Sequence, residues 1–265
     1  MEERVNLAQA NFKAYCESFK ELTDQQQKNF TIKFEHSIRV ASICNSIALK
    51  LGWTEEERGI ACVAGIFHDI GRFKQLVEFD TFNDTKSVDH AEYSVQVIEE
   101  NKFLAGLTDE QQKAIQEAIR YHNKRELPRD LQQDTLQYAK LLRDADKLDI
   151  LKVITDYYSN PKATPNHTLT WELPKGSTVT PVVAKQALDG NLVAKNDVAN
   201  LLDIKIMQLS WVFDLNFKPS FQLLMDKRFL EKIYASLTKS DTIIQIYRMV
   251  KVFAENKILA DAKSY

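Results

Sequence analysis

The chain has 265 residues and a formal charge of −2, from 35 basic and 37 acidic side chains. This balance excludes a global positive field that would bind nucleic acid or an acidic membrane, and no extended nucleic-acid surface is evident. Apolar residues make up 44% and charged residues 27%, which indicates a folded protein with a core. We expect neither a secretory leader nor a membrane span, because the start MEERVNLAQANF is polar and long apolar runs are absent. Three cysteines without CxxC spacing favour reduced thiols and a cytoplasmic location.

The low content of helix breakers, 7 glycines and 6 prolines, favours an all-α fold. Apolar residues at helical spacing predict helices over 2–22, 33–51, 54–68, 88–103, 109–122 and 131–158. Thr54 followed by Glu57 matches a capping box, and Ser87 or Asp89 could cap the helix that begins near 88. Residues 72–86, with FDTFNDTKS at their centre, are predicted to be irregular.

The composition and the spacing of apolar residues change after residue 158, which predicts a second part of the chain. Residues 159–182 are rich in proline, and HTLTWELPKGSTVT alternates apolar and polar residues, which predicts a small β-hairpin near 167–180. Residues 183–261 return to helical spacing; their aromatic residues could form a lid, a dimer face or, most commonly for such a pattern, core. We place a boundary near 160 and expect the C-terminal part to pack on the first. The sequence leaves the oligomeric state open, and a homodimer is compatible with it.

Four of the five histidines lie between positions 36 and 122, each on or at the end of a different predicted helix. His36 faces the apolar side of its helix, and Asp69 follows the apolar run IACVAGIF, where a carboxylate is costly unless it is paired or metal-bound. Taken singly, His36 is more often a packing residue, and His68 with Asp69 is more often a solvated pair at a helix end. Together, four histidines, Asp69 and an aspartate of the segment RDADKLD supply enough ligands for two metal ions, with Asp69 as the natural bridge.

The order of these motifs resembles the HD-domain superfamily of metal-dependent phosphohydrolases over about residues 30–160. GIFHDIGRF, with His68 and Asp69, is similar to the central motif, and Ala145-Asp146-Lys147-Leu148 is similar to the last one. On that register Asp146, rather than Asp144, is the ligand. VDHAEYSV and IRYHNK resemble the two-metal subset, which includes HD-GYP cyclic dinucleotide phosphodiesterases, HD-type diadenosine tetraphosphate hydrolases and mixed-valent di-iron oxygenases.

The resemblance implies an HD-type helical bundle as the core, over residues 1–160. The sequence pattern, rather than the resemblance, assigns residues 161–265 to a hairpin and a helical extension. It implies one metal ion held by His36, His68, Asp69 and Asp146, and a second held by Asp69, His90 and His122. Manganese or iron is favoured for these two divalent ions, with zinc, nickel, cobalt or magnesium as alternatives. The chain lacks the Gly-Tyr-Pro element and the doubled histidine of HD-GYP proteins, which argues against cyclic dinucleotides.

The function implied is hydrolysis of a phosphomonoester or phosphodiester by metal-activated hydroxide, with a nucleotide as the favoured substrate. Asp69 and Arg72 are the candidate catalytic residues, and Arg72, Lys124 and Lys147 are candidates for binding the substrate. Each of these cations could also be a solvated surface charge, which is the favoured interpretation for Lys124. Two alternatives stay open: a di-iron oxygenase with the same ligands, and a non-catalytic nucleotide-binding regulatory module. The complete ligand set argues against the module.

The two other aspartates of the last motif have two interpretations. Asp144 and Asp149 could each orient a ligand histidine, or each could be a charge on the helix surface. His167, in the predicted hairpin, is interpreted as a surface residue.

Overall fold

The computed structural model describes residues 1–160 and 173–260. Within these ranges all regular structure is α-helical or short 3₁₀-helical, which confirms the all-α class. The chain divides into two compact units, residues 1–149 and 150–265. None of the described helices has both the length and the apolar character needed to cross a membrane. The boundary near residue 160 and the packing of the two parts stay predictions.

The first unit is built from helices that follow one another through short connections. They are α1 (Glu2–Ser18), α2 (Asp24–Lys50), α3 (Glu55–Phe67), α4 (Gly71–Phe79), α5 (His90–Asn101), α6 (Asp109–Tyr121) and α7 (Gln133–Ser159), which continues into the second unit. Helix α3 packs against α1, α2 and α6, while α5 packs against α4 and α6. Gly65 permits the close approach of α2 and α3, because a Cβ there would lie 2.7 Å from Ala41 Cα.

A cluster of aromatic side chains anchors the chain on both sides of the His68-Asp69 pair. The Phe12 ring lies 6.3 Å from the Phe67 ring and 5.6 Å from the Phe73 ring, and all three side chains are buried. Burial of one such side chain contributes about 1.5–3 kcal/mol. The turn between α3 and α4 is therefore fixed within the core.

Two predicted boundaries in the first unit are wrong. Residues 71–79 form α4 rather than irregular chain, because Phe73 and Leu76 bury an apolar face; Asp80, in the left-handed conformation, ends the helix. Helix α2 begins at Asp24 rather than near 33, because Thr23 forms a capping box with Gln26.

Two predictions of helix caps can also be compared with the structure. The predicted capping box of Thr54 and Glu57 is confirmed at the start of α3. Of the two candidates before α5, Asp89 is the cap, and its side chain accepts hydrogen bonds from the backbone N–H groups of Ala91 and Glu92.

The second unit contains α8 (Pro181–Leu188), α9 (Leu201–Ser210), α10 (Lys218–Asp226), α11 (Phe229–Ala235) and α12 (Asp241–Leu259). Helix α12 packs against each of the other four. Phe217 and Phe221 are buried, and Phe221 lies 6.1 Å from Phe253, ring to ring. These two aromatic residues are therefore core of this unit.

Part of the predicted β-hairpin can be compared with the structure. Residues 167–172, including His167, lie outside the described residues, and residues 173–180 contain no strand. Their polar groups bond instead to the start of α9: Thr180 donates to Asp203 through its backbone N–H, and Pro174 O accepts from Leu201 N. The alternation of apolar and polar residues therefore wrongly predicted a strand over residues 173–180, which instead form hydrogen bonds with the start of α9.

Candidate metal centre

The fold brings together all six residues that the sequence singles out as metal ligands. They come from five places in the first unit: His36 in α2, His68 and Asp69 after α3, His90 at the start of α5, His122 at the end of α6, and Asp146 in α7. The four histidines are at most 6% exposed. Several helices thus each send a side chain into one interior site, as helical bundles do in metal proteins.

One group of donor atoms surrounds the Nε2 atoms of His36 and His68. These two nitrogens lie 3.2 Å apart, and Asp146 Oδ1 lies 3.1 Å from the His36 nitrogen. Asp69 Oδ2 lies 3.7 Å from His36 Nε2 and 3.6 Å from His68 Nε2. Two imidazole nitrogens and two carboxylate oxygens therefore converge on one point.

A second group lies on the other side of Asp69. The Nε2 atoms of His90 and His122 are 3.1 Å apart. Asp69 Oδ1 lies 3.5 Å from the His90 nitrogen and 3.9 Å from the His122 nitrogen. Asp69 thus presents a different oxygen to each group, which is the geometry expected of a bridging carboxylate.

Partners at Nδ1 orient the four histidine rings. His68 and His122 donate from Nδ1 to the carbonyl oxygens of Gly65 and Ile119, at 2.8 and 2.6 Å. Carboxylates face Nδ1 of the other two rings: Asp149 Oδ2 lies 2.7 Å from His36, and Asp84 Oδ2 lies 2.5 Å from His90. A hydrogen on Nδ1 leaves Nε2 as the acceptor atom, which is the arrangement found in metal-binding histidines.

Burial keeps three of the rings neutral. It lowers the pKa of His122 to about 3 and also lowers the pKa of His68 and of His90. Burial acts in the same direction on His36, but hydrogen bonds with Asp146 and Asp149 outweigh it and raise the pKa of that ring. In the second group, therefore, two neutral imidazole rings face Asp69 Oδ1.

Residues 34–151 match the family model of the HD domain. This segment of the chain is an HD domain. A search of curated proteins and a search of solved structures each found no match to the chain.

The donor atoms of this HD domain fit divalent metal ions. His36, His68 and Asp146 form one set, and His68, Asp69 and His122 form another; in each set the ligand atoms lie within 4.8 Å of one another. Asp69 Oδ1 is buried and has no hydrogen-bond partner among residues 1–160 and 173–260. A buried, unpartnered carboxylate oxygen beside two neutral imidazoles is the signature of a position that takes a cation.

Two cations flank the bridging carboxylate. Lys33 Nζ donates to Asp69 Oδ2 at 2.6 Å, and Arg72 Nε lies 3.7 Å from Asp69 Oδ1. Burial opposes ionisation of Asp69, but Lys33, the neighbouring histidines and Arg72 hold its pKa well below the usual range. Asp69 is therefore a carboxylate at neutral pH, in the form that binds metal.

The predicted substrate-binding residues differ in their surroundings. Arg72 lies beside Asp69, as just described. Lys124 forms an ion pair with Asp89, the residue that caps α5. Lys147 follows Asp146 in α7 and is partly buried. The substrate-binding roles of these three residues stay predictions.

The sequence left Asp144 and Asp149 of the last motif between two roles, and several other neighbours of the site were not predicted. Asp149 is fully buried and joins His36 to Arg39, so it orients a ring rather than lying on the surface; Asp144 is also fully buried. Lys33 precedes His36 by three residues, a spacing that shares one helix face and could have revealed it.

Asp84 and Arg143 also contribute to the site. No local sequence pattern indicates this, because their contacts depend on how the chain folds. Asp84 comes from the loop before α5; burial opposes its ionisation, but His90 and Arg72 hold its pKa well below the usual range. Arg143 is buried and donates from Nη1 to the carbonyl oxygens of Tyr121, His122 and Lys124, which fixes the end of α6.

Proposed function

We propose that this HD domain is a metal-dependent phosphohydrolase that cleaves a phosphomonoester or phosphodiester of a small molecule. Nucleotides are the first substrate class to test. The superfamily consists largely of metal-dependent hydrolases, and the donor set described above supports the binding of divalent metal.

One observation carries the proposal: two buried polar atoms without partners lie side by side. Within the described residues, neither Asp69 Oδ1 nor Arg72 Nε has a hydrogen-bond partner, and the two atoms are 3.7 Å apart. Buried polar groups are almost always hydrogen-bonded in folded proteins, so a buried acceptor and a buried cationic donor that face each other beyond hydrogen-bond distance mark a place for a ligand. A metal ion satisfies the carboxylate oxygen, and a phosphoryl oxygen satisfies the guanidinium.

His36, His68, Asp69 and Asp146 would hold one metal ion, and Asp69, His90 and His122 a second. When bound, such ions lower the pKa of water and offset charge on phosphoryl oxygens. The protein's own contribution is orientation, because the partner at each Nδ1 directs the opposite nitrogen to the centre. The neutral rings also need to release no proton before they bind metal.

Arg72 and Lys33 are suited to bind the phosphoryl group. Arg72 is anchored through Nη1, which donates to Gln75 Oε1, Phe82 O and Asp84 Oδ1, and its Nε is left without a partner. Lys33 is 21% exposed and Arg72 13%. Both cations are thus within reach of solvent on one side and of Asp69 on the other, where they can stabilise charge that develops on phosphoryl oxygens.

The proposal is tested by metal content and turnover on the same samples. Plasma mass spectrometry counts the metal in the full chain, and p-nitrophenyl phosphate and bis(p-nitrophenyl) phosphate with Mn²⁺ report hydrolysis. We expect Asp69→Ala to lose turnover and metal together, because both groups of donors share this residue. Asp134→Ala, at an exposed carboxylate in the first turn of α7, is the matched control and should retain both.

Three outcomes would contradict the proposal. Full turnover in Asp69→Ala would show that hydrolysis does not depend on this centre. Two irons with oxygen consumption and no hydrolysis would identify an oxygenase instead. A wild-type chain that binds no metal would mean that the six side chains do not form a metal centre.

A further inference from the structure

One carboxylate in the loop between α4 and α5 contacts two different parts of the site. Asp84 Oδ1 accepts a hydrogen bond from Arg72 Nη1 at 2.7 Å, and Asp84 Oδ2 lies 2.5 Å from His90 Nδ1. His90 belongs to the second group of donor atoms, whereas Arg72 presents its unpartnered Nε beside Asp69. The two oxygens of Asp84 therefore join a candidate metal ligand to the guanidinium that lies beside Asp69.

We propose that Asp84 is a positioning residue that fixes His90 and Arg72 relative to each other. Occupation of the second metal position and placement of the guanidinium then depend on one side chain. The part concerning Arg72 rests on the proposed function, because it assumes that this residue binds a phosphoryl oxygen. The part concerning His90 requires only that the second group binds metal.

The surroundings of Asp84 hold it in a defined position. The fully buried Gln75 donates from Nε2 to Asp84 Oδ1, Ser87 Oγ and Val88 O, at 3.2, 2.8 and 3.1 Å. Arg72 also donates to the carbonyl oxygen of Phe82 in the same loop. Because the loop is tied to α4 at several points, the Asp84 carboxylate transmits a fixed geometry to both of its partners.

The first group of donors contains a counterpart. Asp149 lies 2.7 Å from His36 Nδ1 through Oδ2 and accepts from Arg39 Nε at 2.7 Å through Oδ1. Each metal position thus has one histidine backed by a carboxylate that also holds an arginine. Asp149→Asn should weaken the first position and Asp84→Asn the second, so the two variants control for each other.

Asp84→Asn is the discriminating change, because it keeps the shape and removes one acceptor. An amide has a single carbonyl oxygen, so it can accept from Arg72 or from His90 but not from both. The other partner then faces an NH₂ group. Asp80→Asn is a control in the same loop, since Asp80 is exposed and accepts from Gln26 rather than from any residue of the site.

The first readout is binding of Mn²⁺ alone, measured by titration calorimetry on the full chain. Four donor residues form the first position and three the second, so we expect wild-type protein to bind one ion more tightly than the other. Asp84→Asn should weaken the second ion roughly 10- to 100-fold, which is the usual effect of losing a partner behind a metal ligand. The first ion should bind unchanged, which also shows that the variant is folded.

The second readout is the Nδ1 proton of His90 in metal-free protein labelled with ¹⁵N-histidine. The chain has only five histidines, so the ring signals can be assigned by substitution. Asp84→Asn should shift or abolish the His90 signal and leave that of His122 in place. If the asparagine variant is too unstable to purify, Arg72→Gln replaces it. The His90 signal should shift there too, because Asp84, which faces His90 Nδ1, loses the hydrogen bond that Arg72 donates.

Where phosphoester turnover is present, Asp84→Asn should also raise KM, because Arg72 is released. Unchanged affinity for the second ion and an unchanged His90 signal would overturn the inference. Equal weakening in Asp80→Asn would overturn it too, by tracing the effect to the loop as a whole. If wild-type protein hydrolyses no phosphoester and Asp84→Asn still weakens the second ion, the proposed function fails and the positioning of His90 stands.

Discussion

Gly71 is the position at which one added methyl group should disturb the centre without touching a donor atom. It is the first residue of α4, where α4 and α5 approach closely. A Cβ there would lie 2.5 Å from Ser94 N, 2.8 Å from Tyr93 C and 3.0 Å from His90 O. All three are backbone atoms of α5, so rotation of a side chain cannot relieve the contact. Gly71→Ala must therefore move the start of α5, which carries His90.

The size of the effect follows from these distances. Ordinary van der Waals contact begins near 3.4 Å, so α5 must move by about 0.9 Å at Ser94. Overpacking of this kind costs about 1–3 kcal/mol, and alanine regains at most about 1 kcal/mol of helix propensity. We expect a net loss of about 1–2 kcal/mol in the free energy of unfolding. A displacement of this size at a metal ligand should weaken the second ion roughly tenfold or more.

Gly52→Ala is the matched control. Gly52 follows α2 with φ of +77°, and, apart from its two chain neighbours, no atom of the described residues lies within 4 Å of a Cβ built there. Alanine should cost about 1–2 kcal/mol through the left-handed backbone alone. Urea unfolding of both variants should thus give similar losses, while Mn²⁺ titration should show weaker binding only in Gly71→Ala. Wild-type affinity in Gly71→Ala, or an equal loss of affinity in both variants, would refute the reasoning.

Two further predictions concern the stability of the metal-free protein. Burial lowers the pKa of His122 to about 3, whereas the unperturbed value is 6.5. Below pH 6.5 the unfolded chain gains a proton that the folded chain does not, so this residue removes about 1.4 kcal/mol of stability per pH unit. His122→Gln should flatten the fall in stability between pH 6.5 and 5.5 in urea unfolding; an unchanged slope would contradict this. Arg143→Met leaves buried carbonyl oxygens at the end of α6 without their donor and should cost roughly 3 kcal/mol. Arg120→Met, which removes an exposed ion pair with Glu92, should cost less than about 1 kcal/mol, and equal losses would count against the role of Arg143.

The sequence could predict that the six candidate ligands meet because each lies on, or at the end of, a helix with an apolar face. His36 is an example, since the apolar residues around it are those that face the core, and burial carries the histidine inward with them. The capping box of Thr54 and Glu57 marked the start of α3 equally well, because the signal lies within four residues. Local patterns of this kind need no knowledge of distant segments.

The remaining features depend on contacts between segments that are far apart in the chain. Asp84 acquires its role only because Gln75 and Arg72 fold the loop back onto α4. Helix α4 itself is only 9 residues long, too short for its periodicity to stand out. The alternating residues near 173–180 suggested a strand, yet Thr180 donates hydrogen bonds to Asp203 from its backbone N–H and from its hydroxyl group. Periodicity describes which face is apolar but not what lies opposite it.

The five residues from Phe67 to Gly71 explain why the centre and the core of the first unit cannot be separated. Phe67 and Ile70 are fully buried and hold the turn from both sides, so Asp69 cannot withdraw its carboxylate towards solvent. His68 is fixed by its bond to Gly65 O within the preceding helix. Gly71 then lets α5 come close enough to bring His90 to the second oxygen of Asp69. Packing thus forces the Asp69 carboxylate into the interior, where cations stabilise it. The same packing determines which donor atoms surround those cations.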